Sequence, residues 1–304
     1  KEMNNKNKFS LLLVITLLIT GLLSSCFKED LTDCPRPFQV TIKALDADQN
    51  DITESGEVKN AILFVFDQNN ELVKGFTINE AQIKGRQPIN IEIDYPGYES
   101  LYFVAWGNVD ENIEYSNIEN VRNLLDLYVK LKSQDGLAIS PGDFFRGILT
   151  VPVEYGGTES GQSHVVEING MTSGVTITAR HLKEWNSNLE GEYSFVLHES
   201  KDMYDQDGHL IGNAVSYAPS CGFASNGDLS TSIFYTFPPE SGKGVHVDIL
   251  YNGKIIYTID HDSEGHLFVP IVGRTLNIII DFRAEISVLF EVTPWNVVYQ
   301  YVNY

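Results

Sequence analysis

Beyond residue 37 the chain is a succession of short apolar runs separated by turn residues. Phe38-Gln-Val-Thr-Ile-Lys-Ala-Leu and Ile89-Asn-Ile-Glu-Ile-Asp alternate apolar with polar residues, the pattern of strands with one buried face. Ala61-Ile-Leu-Phe-Val-Phe and Leu101-Tyr-Phe-Val-Ala-Trp are nearly continuous and read as strands buried on both faces. Asp67-Gln-Asn-Asn-Glu, Asp205-Gln-Asp-Gly and Asp262-Ser-Glu-Gly stand between β-prone runs and are expected to turn hairpins. Further strands are expected within 144–153, 164–168, 175–179, 192–197, 276–282 and 286–292. This punctuation builds antiparallel sandwiches; a doubly wound α/β fold is disfavoured because strands do not alternate with helices. One helix is expected, at about 117–132, with Ser116 as its cap and Ile118, Val121, Leu124, Leu125, Tyr128, Val129 and Leu131 at helical spacing.

With 43% hydrophobic residues the chain can build real cores. Tyr155-Gly-Gly-Thr-Glu-Ser-Gly-Gln is glycine-rich and polar, and is the expected linker. The reading is therefore all-β with two tandem sandwich domains, 38–157 and 158–304, the single helix lying in the first. The net charge is −20 at pH 7. Such a surface repels nucleic-acid phosphates and anionic lipid, so neither is an expected partner through charge.

The first residues form a separate unit. Lys6 and Lys8 precede an apolar stretch from Phe9, and Leu23-Ser-Ser-Cys26 follows it. A basic region, a short apolar core and small residues before a cut site make a secretory signal, here 1–25, with Met3 as the expected start. The Leu-Ser-Ser-Cys stretch resembles the lipobox of bacterial lipoproteins. That likeness implies cleavage before Cys26 and a diacylglyceryl group plus an N-acyl chain on it. Residues 26–37 are polar and proline-bearing and read as a tether. Cys34 and Cys221 then remain as an even pair in an oxidising compartment, either bridged or as two free thiols.

Catalytic signatures are missing: there is no His-Glu-x-x-His, no Gly-x-Ser-x-Gly and no phosphate-binding Gly-x-x-x-x-Gly-Lys. No enzyme activity, metal or dissociable cofactor is expected. The seven histidines are scattered, and the closest pair, His261 and His266, brackets a turn. Asp46-Ala-Asp-Gln-Asn-Asp lacks the sixth-position glycine and closing glutamate of a calcium loop and reads as a solvated turn. Trp106 is expected in a core.

After Cys26, the stretch Glu29-Asp-Leu-Thr-Asp-Cys-Pro35 resembles the opening of FimB-like fimbrium anchoring subunits, lipoproteins of type V pili in Bacteroidales-type bacteria. Ile62-Leu-Phe-Val-Phe-Asp, Leu101-Tyr-Phe-Val-Ala-Trp-Gly-Asn and Phe144-Phe-Arg-Gly fit the same family. Asn169-Gly-Met-Thr-Ser-Gly departs from it, where many relatives open the second domain with an arginine-led strand. The resemblance implies transthyretin-like sandwiches, lipid attachment to the outer membrane with surface display, and a stalk pilin as partner. Lys28-Glu-Asp resembles a surface-export signal. It also implies subunit joining by strand addition. An anchor must keep its first strand, which carries the lipid, and the only arginine near that strand, Arg36, is followed by Pro37, a poor site for trypsin-like cleavage.

The C-terminal residues 295–304 read as one more strand, with Trp295, Val297, Tyr299 and Tyr301 on one face. Two readings stand: a strand donated to the neighbouring subunit, or the closing edge strand of the second sandwich. The rival functions are a surface glycan-binding lipoprotein and a stalk or tip pilin of the same fold.

Overall fold

A computed structural model describes residues 36–92, 97–156, 161–283 and 286–294. The strands of the first half are β1 (Phe38–Leu45), β2 (Asn60–Phe66), β3 (Leu72–Asn79), β4 (Ile89–Ile91), β5 (Ser100–Gly107), β6 (Ile113–Tyr115), β7 (Val129–Leu131), β8 (Ser133–Gln134), β9 (Leu137–Ala138) and β10 (Phe145–Pro152). There follow β11 (Gln162–Gly170), β12 (Ser173–Arg180), β13 (Tyr193–Tyr204), β14 (Leu210–Tyr217), β15 (Cys221–Phe223) and β16 (Leu229–Thr231). The last are β17 (Phe234–Thr236), β18 (His246–Tyr251), β19 (Lys254–Ile259), β20 (Arg274–Asp281) and β21 (Ser287–Pro294). Two short helices, α1 (Glu80–Lys84) and α2 (Leu182–Trp185), complete the described elements with a 3-10 turn at Leu124–Asp126.

Seven strands form the first sheet in the order β3-β2-β5-β10-β11-β1-β4. It encloses a core of Phe38, Val40, Ile42, Leu63, Phe103, Val151 and Val166 among others. The continuous apolar runs are explained by what lies behind this sheet. Along β2, Ala61, Leu63 and Val65 enter the first core, while Ile62, Phe64 and Phe66 enter a second. In β5 the same alternation sends Leu101, Phe103 and Ala105 one way and Val104 and Trp106 the other. Period two is intact; both faces are covered. Trp106 is 1% exposed and meets Phe64 edge to face at 5.2 Å.

The second sandwich packs the sheet β15-β16-β12-β20-β21, with β17 also on β12, against β19-β18-β13-β7-β6, with β14 also on β13. Val175, Ile177, Leu276 and Ile278 meet Phe195, Leu197, Val247 and Ile249 in its core. Among the described residues pairing is antiparallel apart from two contacts, β1 with β11 and β12 with β20, which are parallel. Gly147 lets β10 pass beside β11: a Cβ there would lie 2.1 Å from the Glu167 carbonyl oxygen.

Two expectations are corrected. The 117–132 helix is not formed. The segment holds one 3-10 turn and then β7, which pairs with β6 and with β13. Ser116 does not cap a helix; its hydroxyl donates to the Asp126 carbonyl and accepts the Tyr128 amide at 2.9 Å, closing a hairpin. Side-chain caps at Asn117 and Asn123 favour turns over helix here. Gly75 on β3 supplies the seat: a Cβ there would sit 2.5 Å from Ile118 Cγ2. The chain also does not change sandwich at the glycine-rich stretch. All eight residues of β1 pair with β11, so the crossing falls after Gly170. Meanwhile β6 and β7 reach into the second sandwich. The core of that sandwich continues onto the back of the first sheet.

The unforeseen helix α1 has a reciprocal cap. Asn79 Oδ1 accepts the Gln82 amide at 3.0 Å and Gln82 Oε1 accepts the Asn79 amide at 3.0 Å.

Candidate functional site

The two ends of the described chain are the first candidates for a joining role. At the N-terminal end, β1 lies between β11 and β4, bonded on both sides. Its alternation places Phe38, Val40, Ile42 and Ala44 in the core, each at 3% exposure or less. Burial of each large side chain contributes about 1.5–3 kcal/mol. The strand is gripped before it begins. The Arg36 amide donates to the Glu154 carbonyl at 2.9 Å, its guanidinium pairs with the Glu154 carboxylate at 3.0 Å, and the Pro37 carbonyl accepts the Gln162 amide at 2.8 Å. Withdrawal of β1 would expose a strand-wide groove between β11 and β4.

At the other end, β21 pairs with β20 over its full length and forms an edge of its sheet. Thr293 is 1% exposed, and its hydroxyl accepts from Asn277 Nδ2 at 3.2 Å. The outer backbone of β21 is engaged at Val288 by Ser263. By strand alternation the amides and carbonyls of Phe290 and Val292 also point outward, and no partner for them is found among the described residues. Trp295, Val297, Tyr299 and Tyr301, the candidate donor strand, lie outside the described residues. So do Cys26 and Cys34. Cys221 stands as a free, half-buried thiol that donates to the Tyr193 carbonyl at 3.4 Å; burial pushes its pKa up.

The polar turns behave as turns. Asp46 Oδ1 accepts the amides of Asp48 and Asn50 at 2.9 and 2.8 Å. Asp205 Oδ1 accepts those of Asp207 and His209 at 3.0 and 2.8 Å. Around the 262–265 turn each histidine has its own aspartate: His266 Nδ1 meets Asp262 at 3.0 Å, and His261 pairs with Asp260. Among exposed aromatics, Trp185 is packed against Phe282 and Tyr257 at interplanar angles of 46° and 75°.

One polar cluster was not foreseen. On the outer face of the second sandwich His198 of β13 is paired in register with His246 of β18, and their rings stack at 4.5 Å. Asp248, two residues along, is 7% exposed and approaches His198 Nε2 at 3.2 Å. Ser216 on β14 meets His198 Nδ1 at 2.7 Å. Burial first, and then the neighbouring His246, hold His198 below the ordinary imidazole pKa. The only trace in the sequence is His246-Val-Asp248, whose ends share a strand face; its partner lies 48 positions upstream and is brought there by pairing alone.

The described residues form two β-sandwiches in tandem, the first with β1 inside its sheet and the second with β21 at an edge. A family model described as "Fimbrillin-A associated anchor proteins Mfa1 and Mfa2" matches residues 31–301, and the chain belongs to that family. The major fimbrium anchoring subunit FimB of Porphyromonas gingivalis (strain ATCC BAA-308 / W83) is 40% identical, across 99% of this chain and 100% of that protein. The protein of the same name from strain ATCC 33277 matches equally, at 40% over 99% and 100%. Among solved structures, the fimbrial anchor protein Mfa2 from Porphyromonas gingivalis superposes with a TM-score of 0.60 at 17% identity, covering 86% of this chain and 98% of that one.

Proposed function

We propose that this protein is the lipid-anchored base of a fimbrium. Cys26 carries the acyl chains, residues 26–37 form the tether, and the protein sits on the outer membrane facing outward. A stalk pilin joins it by β-strand addition, in which main-chain hydrogen bonds give affinity and alternate side chains give specificity. The role is structural, without catalysis or cofactor. The observation that carries this reading is β1: it is bonded on both sides and clamped at Arg36, so the strand that continues from the tether is an integral part of the first core. A stalk subunit that gives up this strand to make room for a neighbour would not need such a grip. The names of the 40%-identical relatives, fimbrium anchoring subunits, support it.

The test is Cys26→Ala expressed in the native background. One acyl chain binds a membrane only marginally, whereas the two or three of a lipoprotein hold durably at about 0.8 kcal/mol per buried methylene. The variant is expected in soluble fractions, with fimbriae shed into the medium. Membrane fractionation identical to wild type would refute the lipid anchor; retained fimbriae despite released protein would refute the base role.

A further inference from the structure

The outer face of the β14-β13-β18-β19 layer carries three groups of metal-ligating chemistry in one place. His198 and His246 are direct cross-strand neighbours, and Asp248 lies diagonally from His198. One donor atom from each falls within 4.8 Å of the others. From this geometry we infer a zinc site formed by His198, His246 and Asp248, with the fourth position open to water or to an incoming group.

The surroundings are arranged as they are around zinc ligands. Asp248 Oδ1 is occupied by the Thr258 hydroxyl, at 2.5 Å, which leaves Oδ2 directed at His198 Nε2. Ser216 meets the opposite ring nitrogen, Nδ1. A hydroxyl both donates and accepts, so Ser216 donates to Nδ1 while Nε2–H bonds Asp248, and accepts from Nδ1–H once Nε2 is bound to metal. The metal therefore replaces a proton between His198 and Asp248 without breaking the outer contact. Tetrahedral zinc with bonds of about 2.0–2.1 Å needs donors about 3.4 Å apart, closer than the 4.8 Å outer limit here. The movable member is His246, which is half-exposed and makes, among the described residues, only its ring contact with His198. Four strands contribute: Ser216 from β14, His198 from β13, His246 and Asp248 from β18, and Thr258 from β19. A bound ion would tie them together. Asp205, Asp207 and His209, the last two exposed, form a second group of similar composition, but Asp205 Oδ1 already accepts two backbone amides of its own turn.

The test titrates ZnCl2 into the full-length protein, free of any histidine tag, by calorimetry, with the thermal midpoint followed in parallel. One equivalent is expected to bind and to raise the midpoint. His246→Ala, at a half-exposed position, should keep the fold and lose both effects. Ser216→Ala should weaken binding roughly tenfold to a hundredfold, as outer partners of ligating histidines do. His209→Ala should change neither. The inference is overturned by the absence of saturable binding, by binding that survives in the His198→Ala/His246→Ala double variant, or by loss of binding in His209→Ala alone.

Discussion

Ser263 holds the outer edge of β21 at Val288: its amide donates to the Val288 carbonyl at 3.0 Å and its hydroxyl accepts the Val288 amide at 2.8 Å. A residue from a turn thus takes the place of a neighbouring strand at one position of an open edge. Phe290 behind it is tied to the core through its ring, 5.8 Å from that of Phe268. Edge strands are usually blunted by such local devices. Ser263→Ala removes the hydroxyl acceptor alone. It is expected to destabilise by about 0.5–1.5 kcal/mol and to speed hydrogen exchange of the Val288 amide, leaving Ile278 and Ile280 of β20 protected. Exchange measured by NMR checks both, and an unchanged Val288 amide would show that the hydroxyl is idle.

The retention of β1 has a measurable energetic side. Ile42 is 3% exposed in the first core. Ile42→Ala should cost about 2–5 kcal/mol in urea unfolding. Val165, on the partner strand β11, is 45% exposed, and Val165→Ala should stay within about 0.5 kcal/mol. Equal costs at the two positions would mean that β1 is not held as described. Glu154→Ala, removing the partly exposed pair with Arg36, should cost only about 0.2–1 kcal/mol.

Asp51 confers a defined acid sensitivity. Hydrogen bonds from Thr53, then the Arg86 guanidinium at 2.8 Å, lower its pKa from 3.8 to about 2. A carboxylate depressed in the folded state adds stability that is present above the unfolded value and is lost as pH falls through the folded one. The window is therefore about pH 4 down to about 2. The side chain is 34% exposed, so screening limits the contribution to about 1 kcal/mol. Asp51→Asn should be less stable than wild type at pH 6 and should converge with it as pH falls below about 2. A constant gap between their urea midpoints across that range would exclude the linkage.

The all-β class, the hairpins at Asp67 and Asp205, and the doubly buried strands were legible because period two and turn chemistry are local signals. The segment 117–132 was not, and its residues show why. Val121, Leu124, Leu127, Val129 and Leu131 are buried, a spacing that passes for helical, yet it arises from a 3-10 turn running into a strand. Leu125, which a helical stripe would place with them, is 71% exposed. Leu127→Ala should therefore cost about 2–5 kcal/mol and Leu125→Ala nearly nothing. The partners of β7 and β11 were illegible for a different reason. Val129 pairs with Tyr204 and Phe38 with Gln162, contacts between residues far apart in the chain that no local pattern encodes. The His198–His246 pair was hidden in the same way.

The proposed role of the C-terminal residues as a donated strand can be tested by truncation. The second sandwich is already closed by β21, which runs antiparallel to β20 from Ser287 to Pro294 and is pinned near its end by Thr293 and Asn277. The β20–β21 ladder ends at Pro294, and Leu276, Ile278 and Ile280 are buried among the described residues. Truncation after Trp295 is thus expected to leave unfolding within about 0.5 kcal/mol of wild type, while fimbriae are released from cells that still retain the anchor in their membrane. Strand donation explains that combination, because the alternate side chains of the tail would fill pockets in the next subunit. A truncated protein that unfolds would assign the tail to the core of the second sandwich instead. A folded truncation that still holds its fimbriae would place the joint elsewhere on the molecule, with the open edge at Phe290 and Val292 the first position to examine.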